Sequence, residues 1–247
     1  MPLEKGSLII VDYTAKVKDT NELFDTTQEE EAKKTNFYDP THKYEPRLVS
    51  IGEGWVLKGL DEALSNANVS DKLNVEVPPE KGFGKRDDSK IRMIPQRKLG
   101  DKADEVGVGD EIEIDSRRAI VRYVGSGRIQ VDFNHRFAGK ALLYDVNVLK
   151  KLDSDSEKVI ALIKRRMGLD ESKLQINLAA PNLEIELPED AYLAEGLQIV
   201  KRAVANDIFK FVPTIKNIRF IETYPAPAEQ KKDEQQAKVE ATAEAKQ

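Results

Sequence analysis

Hydrophobic and polar positions alternate with a period of two from Ser7 to Lys18, SLIIVDYTAKVK. Ile9, Val11, Tyr13, Ala15 and Val17 share one face, and mostly polar side chains share the other, which predicts a half-buried antiparallel strand. The next stretch, LFDTTQEEEAKKTNFYDPTHKYEP, is polar, with a short Glu/Lys helical segment near Gln28 to Lys34 and breakers at Pro40 and Pro46. It reads as a long structured flap, the kind of segment that often carries function. Leu48 to Gly52 gives a short strand, after which Gly52, Gly54 and Gly59 bracket Trp55, Val56 and Leu57. Leu57, Leu60, Ala63 and Leu64 then recur at helical spacing and predict one short amphipathic helix. Leu73, Val75 and Val77 alternate within Lys72 to Val77, ahead of the turn residues Pro78, Pro79 and Gly82.

The texture changes after Lys85. IRMIP and DEIEIDSRRAIVRYVGSGRIQVDF hold short strands around Ile112, Ile114, Ile120, Ile129 and Val131, and Gly125-Ser126-Gly127 is a hairpin signal. This predicts a small all-β unit inserted into the first domain, from which the chain returns through NHRFAGK to a last strand with Leu142, Tyr144, Val146 and Val148 alternating. Farther on, Ser154 and Glu157 form a capping box for a helix through Met167, with Gly168 as its stop. Strands follow at Leu174 to Leu178 and Leu183 to Leu187, a helix from Pro188 to about Ile208, and a strand from Ile215 to Ile221. The α-β-β-α-β order predicts a separate α+β domain. From Pro225 the chain lacks aromatic residues and is nearly charge-balanced, which predicts a disordered tail. The resulting division is 1–86 with 136–151, an insert at 87–135, a C-terminal domain at 152–224 and the tail at 225–247.

Composition narrows the chemistry. Among 247 residues there is no Cys, two His and one Trp, which excludes disulfides, thiolate metal centres, a cysteine nucleophile and a multi-histidine metal site. Asp and Glu outnumber Lys and Arg by 44 to 39, so the overall charge argues for neither nucleic acid nor an anionic membrane as partner. Charged residues reach 34%, and Lys/Glu enrichment without Cys is a trait of thermophile proteins. The N-terminal apolar run, Leu8 to Val11, is too short for a signal peptide or a membrane span, and a cytoplasmic location is expected.

The order of the blocks VDYTAKV, Phe24-Asp25-Thr26-Thr27, SIGEGWVLKGLDEAL, VPPEKGFG and LLYDVNVL resembles the FKBP peptidyl-prolyl isomerases. The segment between Phe83 and Tyr144 resembles the insert-in-flap domain of the SlyD branch, and the region after Leu152 resembles the long archaeal members. The resemblance implies an α+β fold, an FKBP-like antiparallel sheet wrapped on a short helix, with an inserted small all-β domain and a C-terminal α+β domain. It also implies a prolyl isomerase without cofactor or metal that doubles as a holdase for unfolded or nascent chains containing proline. By resemblance Tyr13, Phe24, Val56, Leu57, Phe83 and Tyr144 line the proline pocket, and the N–H of Leu57 is the donor to a substrate carbonyl. Asp25 matches an acidic residue that orients Tyr13, and Leu60 stands where many members carry a tryptophan floor. Phe83 replaces a common tyrosine, and Phe137, on the return segment, closes one side. Both replacements keep the pocket apolar and leave affinity for macrolide inhibitors open. SlyD-type proteins often bind nickel through a His- and Cys-rich tail. The tail here has neither residue type, so folding activity without metal handling is expected.

Several residues carry two readings. Trp55 is either a rim contact for substrate or partly exposed packing. His135 reads as a hydrogen-bonded strand-end residue. The apolar insert residues supply a core, while Ile91, Met93, Ile94 and Tyr123 are candidates for contacting unfolded chains, a role the resemblance to the SlyD insert supports. Lys164-Arg165-Arg166 and Lys201-Arg202 form a solvated helix face or a ribosome or partner contact, and Phe209, Phe211 and Phe220 could form a homodimer surface. The competing functions are a non-catalytic polypeptide-binding chaperone that keeps the fold and a nucleic-acid-binding β-barrel. The second is disfavoured by the acidic balance.

Overall fold

Ile9, Val11, Ala15 and Val17 are fully buried on one face of the first strand, β1 (Leu8–Val17), with Tyr13 only 3% exposed among them. The computed structural model describes residues 3–102 and 105–224, which part into two compact units between Arg166 and Met167. In chain order the first unit continues with β2 (Leu23–Thr26), α1 (Glu29–Lys33), β3 (Arg47–Ser50), α2 (Lys58–Ser65), β4 (Lys72–Val77), β5 (Ile91–Pro95), β6 (Glu111–Ile114), β7 (Arg117–Gly125), β8 (Arg128–Asp132) and β9 (Leu142–Lys151). It ends within α3 (Asp155–Met167).

β1 and β9 are the interior strands of an antiparallel sheet ordered β2-β1-β9-β4. β9 runs along one edge of β1, while β2 and β3 share the other, β3 pairing Leu8 to Val11 and β2 pairing Thr14 to Lys16. Because β1 is flanked on both edges, its second face is less open than alternation alone suggests, and Leu8 and Thr14 are also buried. α2 packs on the sheet through Leu60 and Leu64, one turn apart, within a core that includes Val11, Ile51, Val77, Leu142 and Val146. Leu57 is not in the helix. It is the N-cap residue, with extended backbone and a carbonyl that accepts from the N–H groups of Leu60 and Asp61, both at 2.9 Å. The antiparallel sheet around a short helix is the architecture the resemblance implies.

β5 to β8 form a second antiparallel sheet, ordered β5-β8-β7-β6. Its core is Ile114, Ala119, Ile129 and Val131, with Ile94, Leu99, Ile112, Val124 and Phe133 against them. β7 turns into β8 through Ser126 and Gly127, with φ of 51° and 69°, the double left-handed geometry that matches strand twist. The crossings between the two sheets are tied at Asp132, 1% exposed. It pairs with Arg86 and Arg122 and accepts from the backbone N–H and Nδ2 of Asn134 at 3.0 and 2.8 Å. Asn134 in turn holds Asp87 through its N–H and C=O, at 3.0 and 2.8 Å.

The second unit contains β10 (Gln175–Ala179), β11 (Asn182–Glu186), α4 (Leu197–Phe211) and β12 (Asn217–Ile221), with β10 and β11 antiparallel and β11 and β12 parallel. The helix expected from Pro188 is shorter at its start: Glu189–Ala191 form a single 3-10 turn, and Gly196, at φ 71°, interrupts the chain before α4 begins. Leu193, 96% exposed, shows why the stretch between them lacks an inward face. Phe209 is partly exposed, and Phe211 and Phe220 are half-buried. The expected disordered tail lies outside the described residues. Among the described residues no helix is long and apolar enough to cross a membrane.

Candidate functional site

Tyr13 is fixed by the turn after β2. Its N–H donates to Thr27 Oγ1 at 2.8 Å, and its carbonyl accepts from the Thr27 N–H at 3.0 Å and from Thr26 Oγ1 at 3.1 Å. With the backbone clamped, the Tyr13 hydroxyl donates to Asp25 Oδ2 at 2.7 Å. Arg47, opening β3, donates to the same oxygen at 3.2 Å, and its guanidinium stands 5.3 Å from the centre of the Tyr13 ring. Three strands thereby contribute one closed group of phenol, carboxylate and guanidinium.

Aromatic rings continue from it. Phe24 is 6.0 Å from Tyr144 and 4.7 Å from Phe137, and Phe83 is 6.3 Å from Phe24 and 5.6 Å from Phe137. Such tilted and edge-on pairs are favoured geometries for buried rings. On the far side the loop Gly52 to Leu57 brings Trp55, Val56 and Leu57, and Leu60 of α2 forms the base. The loop needs left-handed backbone at Gly52 and Gly54, φ 75° and 67°, and Asp61 anchors it by accepting from the Gly52 N–H at 2.9 Å. Together these residues enclose a pocket of about 540 Å³. No described residue accepts a hydrogen bond from the Leu57 N–H, which sits at the N-cap beside that pocket.

The electrostatics keep the phenols neutral. Burial first, and the Asp25 carboxylate second, push the Tyr13 hydroxyl far above the ordinary tyrosine range, and the same two causes raise Tyr144. His135 stacks on Phe83 at 4.1 Å, and its Nδ1 accepts from the Phe137 N–H at 3.3 Å. Desolvation, then the neighbouring Arg136, lower its pKa, so the imidazole is neutral near pH 7. Arg136 and Lys140 both approach the Phe137 ring, at 4.3 and 5.7 Å. Among the described residues no group of three or more His, Asp or Glu is placed to hold a metal ion.

The pocket gathers Tyr13, Phe24, Asp25, Val56, Leu57, Leu60, Phe83 and Tyr144, and Trp55 and Phe137 line it as well. The candidates on the insert do not form one group. Ile91, Met93 and Tyr123 share a face through the register Ile91–Asp132, Met93–Gln130 and Tyr123–Gln130, whereas Ile94 pairs with Ile129 on the opposite face and belongs to the insert core. Alternation along IRMIP carries that signal, since Met93 and Ile94 are adjacent in a strand. Four lining residues were not read from the sequence as part of the pocket: Arg47, Gly54, His135 and Arg136. Arg47 directly follows Pro46 at the start of a strand, and nothing local marks it as the partner of a carboxylate 22 positions earlier.

The result is an aromatic-walled pocket between a wrapped sheet and a short helix, with one carboxylate at its edge, of a size and polarity that suit a compact apolar group. Comparison with known proteins makes the class specific. Residues 2–99 match the FKBP-type peptidyl-prolyl cis-trans isomerase profile, and residues 155–225 match the profile described as FKBP26_C-terminal. Over 155 residues the chain is 34% identical to the short-type peptidyl-prolyl cis-trans isomerase of Methanocaldococcus jannaschii, covering 63% of this chain and 98% of that protein. It is 28% identical over 112 residues to the FKBP-type isomerase SlyD of Pasteurella multocida, covering 44% of this chain and 56% of the relative. With the FKBP-type 16 kDa isomerase of Escherichia coli it shares 24% identity over 152 residues, 60% of this chain and 93% of that one. The chain belongs to the FKBP-type peptidyl-prolyl cis-trans isomerases and is an enzyme of that class.

Proposed function

We propose that the ring-lined pocket is where this isomerase holds the prolyl residue, and that the inserted sheet captures the unfolded or nascent chain carrying it, in the cytoplasm. The observation that carries the first part is the convergence of Tyr13, Phe24, Phe83, Phe137 and Tyr144 over Leu60. Rotation about an X-Pro bond meets a barrier of about 18–20 kcal/mol because the planar amide is resonance-stabilised. The twisted state loses that resonance and part of its carbonyl dipole, so an apolar wall disfavours it less than the planar state. Every ~1.4 kcal/mol of such differential stabilisation gives tenfold in rate. The Leu57 N–H, which donates to no described residue of the protein, is in place to donate to a substrate carbonyl, which would position the bond without opposing its rotation. Asp25, Tyr13 and Arg47 form the polar edge that fixes the ring of Tyr13 as a wall.

The support for capture by the insert is its outer face. Met93 and Tyr123, each 49% exposed, flank Gln130 in one cross-strand row, with Ile91 and Ile120 half-buried beside them. Exposed apolar groups on a folded sheet suit transient binding of apolar segments.

The catalytic assignment is tested by prolyl-limited refolding with the double variant Asp25→Ala, Phe83→Ala. Acceleration should fall by at least about tenfold, corresponding to roughly 1.4 kcal/mol of lost transition-state stabilisation. Undiminished acceleration by a folded double variant would mean that the proline is turned over elsewhere.

A further inference from the structure

α3 follows the last strand of the isomerase sheet and comes back to the pocket. Val159, Leu162 and Ile163 are fully buried at positions i, i+3 and i+4 of the helix. Glu157 near its start binds Lys150 of β9 at 2.5 Å, and Lys164 near its end binds Glu45 of the flap at 2.7 Å. The next residue, Arg165, lays its guanidinium 3.7 Å from the centre of the Trp55 ring. Glu45 precedes β3 and Trp55 follows it, so consecutive residues of α3 reach the two loops on either side of the strand that supplies Arg47. Lys164 and Arg165, which the sequence allowed as a solvated face or an external contact, have intramolecular partners.

Arg165 adds a side-chain partner to Trp55. The indole sits in a loop that turns through two glycines in left-handed conformation and is anchored through its backbone at Gly52 by Asp61. A guanidinium over an indole is a favourable cation–π pairing, tryptophan being the best ring partner and arginine the more frequent cation, and Trp55 lines the pocket as well. We propose that Arg165 is a positioning residue of the isomerase site, holding Trp55 at the rim as a wall for the substrate residue next to the proline. The helix lies in the region matched by the FKBP26_C-terminal profile, beyond the part matched by the isomerase profile. The segment added to the isomerase therefore shapes how substrate is held. This inference rests on reading the pocket as the prolyl site.

The chain has a single tryptophan, so Trp55 fluorescence reports on the contact directly. The test uses the full chain with Arg165→Ala, Arg165→Lys and Phe83→Ala, a short proline-containing peptide, and circular dichroism to verify folding; Arg165 is exposed, and its replacement should leave the fold intact. Arg165→Ala is expected to red-shift Trp55 emission, increase its quenching by acrylamide and raise KM about fivefold, with kcat within about twofold of the parent. Arg165→Lys should recover part of both changes. If Phe83→Ala lowers turnover while Arg165→Ala leaves KM or the emission unchanged, the pocket stands and the role of Arg165 is overturned. If Phe83→Ala leaves turnover intact, the pocket reading itself fails, and the inference fails with it.

Discussion

Asp25 Oδ2 accepts from both the Tyr13 hydroxyl and the Arg47 guanidinium, so removing either donor leaves the carboxylate partly served. Tyr13→Phe is therefore expected to cost only about 1 kcal/mol in urea unfolding, the ordinary worth of one hydrogen bond. The pH behaviour of the phenols is more distinctive. Burial raises the folded-state pKa of Tyr13 and Tyr144 above the unfolded value near 10. Their contribution to stability is thus complete below about pH 10 and is lost as pH rises beyond it, because the unfolded chain releases protons that the native chain retains. An ultraviolet phenolate titration of the native protein should leave Tyr13 and Tyr144 un-ionised until the alkaline unfolding transition. Titration of all seven tyrosines before unfolding would contradict their burial behind Asp25.

At the scale of elements, periodicity carried β1, β4 and β9, because burial on one face leaves a period-two trace in the residues themselves. The Ser126-Gly127 hairpin was legible through its glycines, but the hairpin between β6 and β7 uses Asp115 and Ser116 at φ 50° and 58° with no glycine to mark it. The ring wall of the pocket was legible only because a family resemblance ordered its scattered blocks. Arg47 and His135 were not, since their roles arise from tertiary pairing across elements. Asp132 is the clearest case at an element junction. Burial alone would raise its pKa, yet hydrogen bonds from Asn134, with Arg86 and Arg122, bring it below the usual carboxylate range. Its stabilisation is present above about pH 4 and disappears as pH falls through the lower folded-state value. Asp132→Asn should lose roughly 1–3 kcal/mol in urea at neutral pH, with the gap to the parent closing in acid. A gap that stays constant with pH would show that the charge is not what ties the crossings.

At the scale of the isomerase and its insert, two sheets with separate cores meet at a few polar contacts around Asp132 and Asn134. If the pocket is the prolyl site, catalysis on a short peptide needs only that pocket, whereas work on a protein client also depends on how long the client stays nearby. If the outer face of the insert supplies that residence, charging it separates the two activities. Met93→Lys with Tyr123→Lys changes two half-exposed side chains outside the insert core and should leave the fold intact. Suppression of aggregation of a heat-unfolded client is expected to drop several-fold, and prolyl-limited refolding of a protein substrate should slow with it. In the same variant kcat/KM for a short prolyl peptide is expected to stay within about twofold, since no pocket residue is altered. Aggregation suppression equal to the parent's would move chain capture away from this face. A parallel loss of peptide turnover would instead mean that the insert and the pocket work as one site, with His135 and Arg136, on the return from β8 to the pocket wall, as the residues through which they couple.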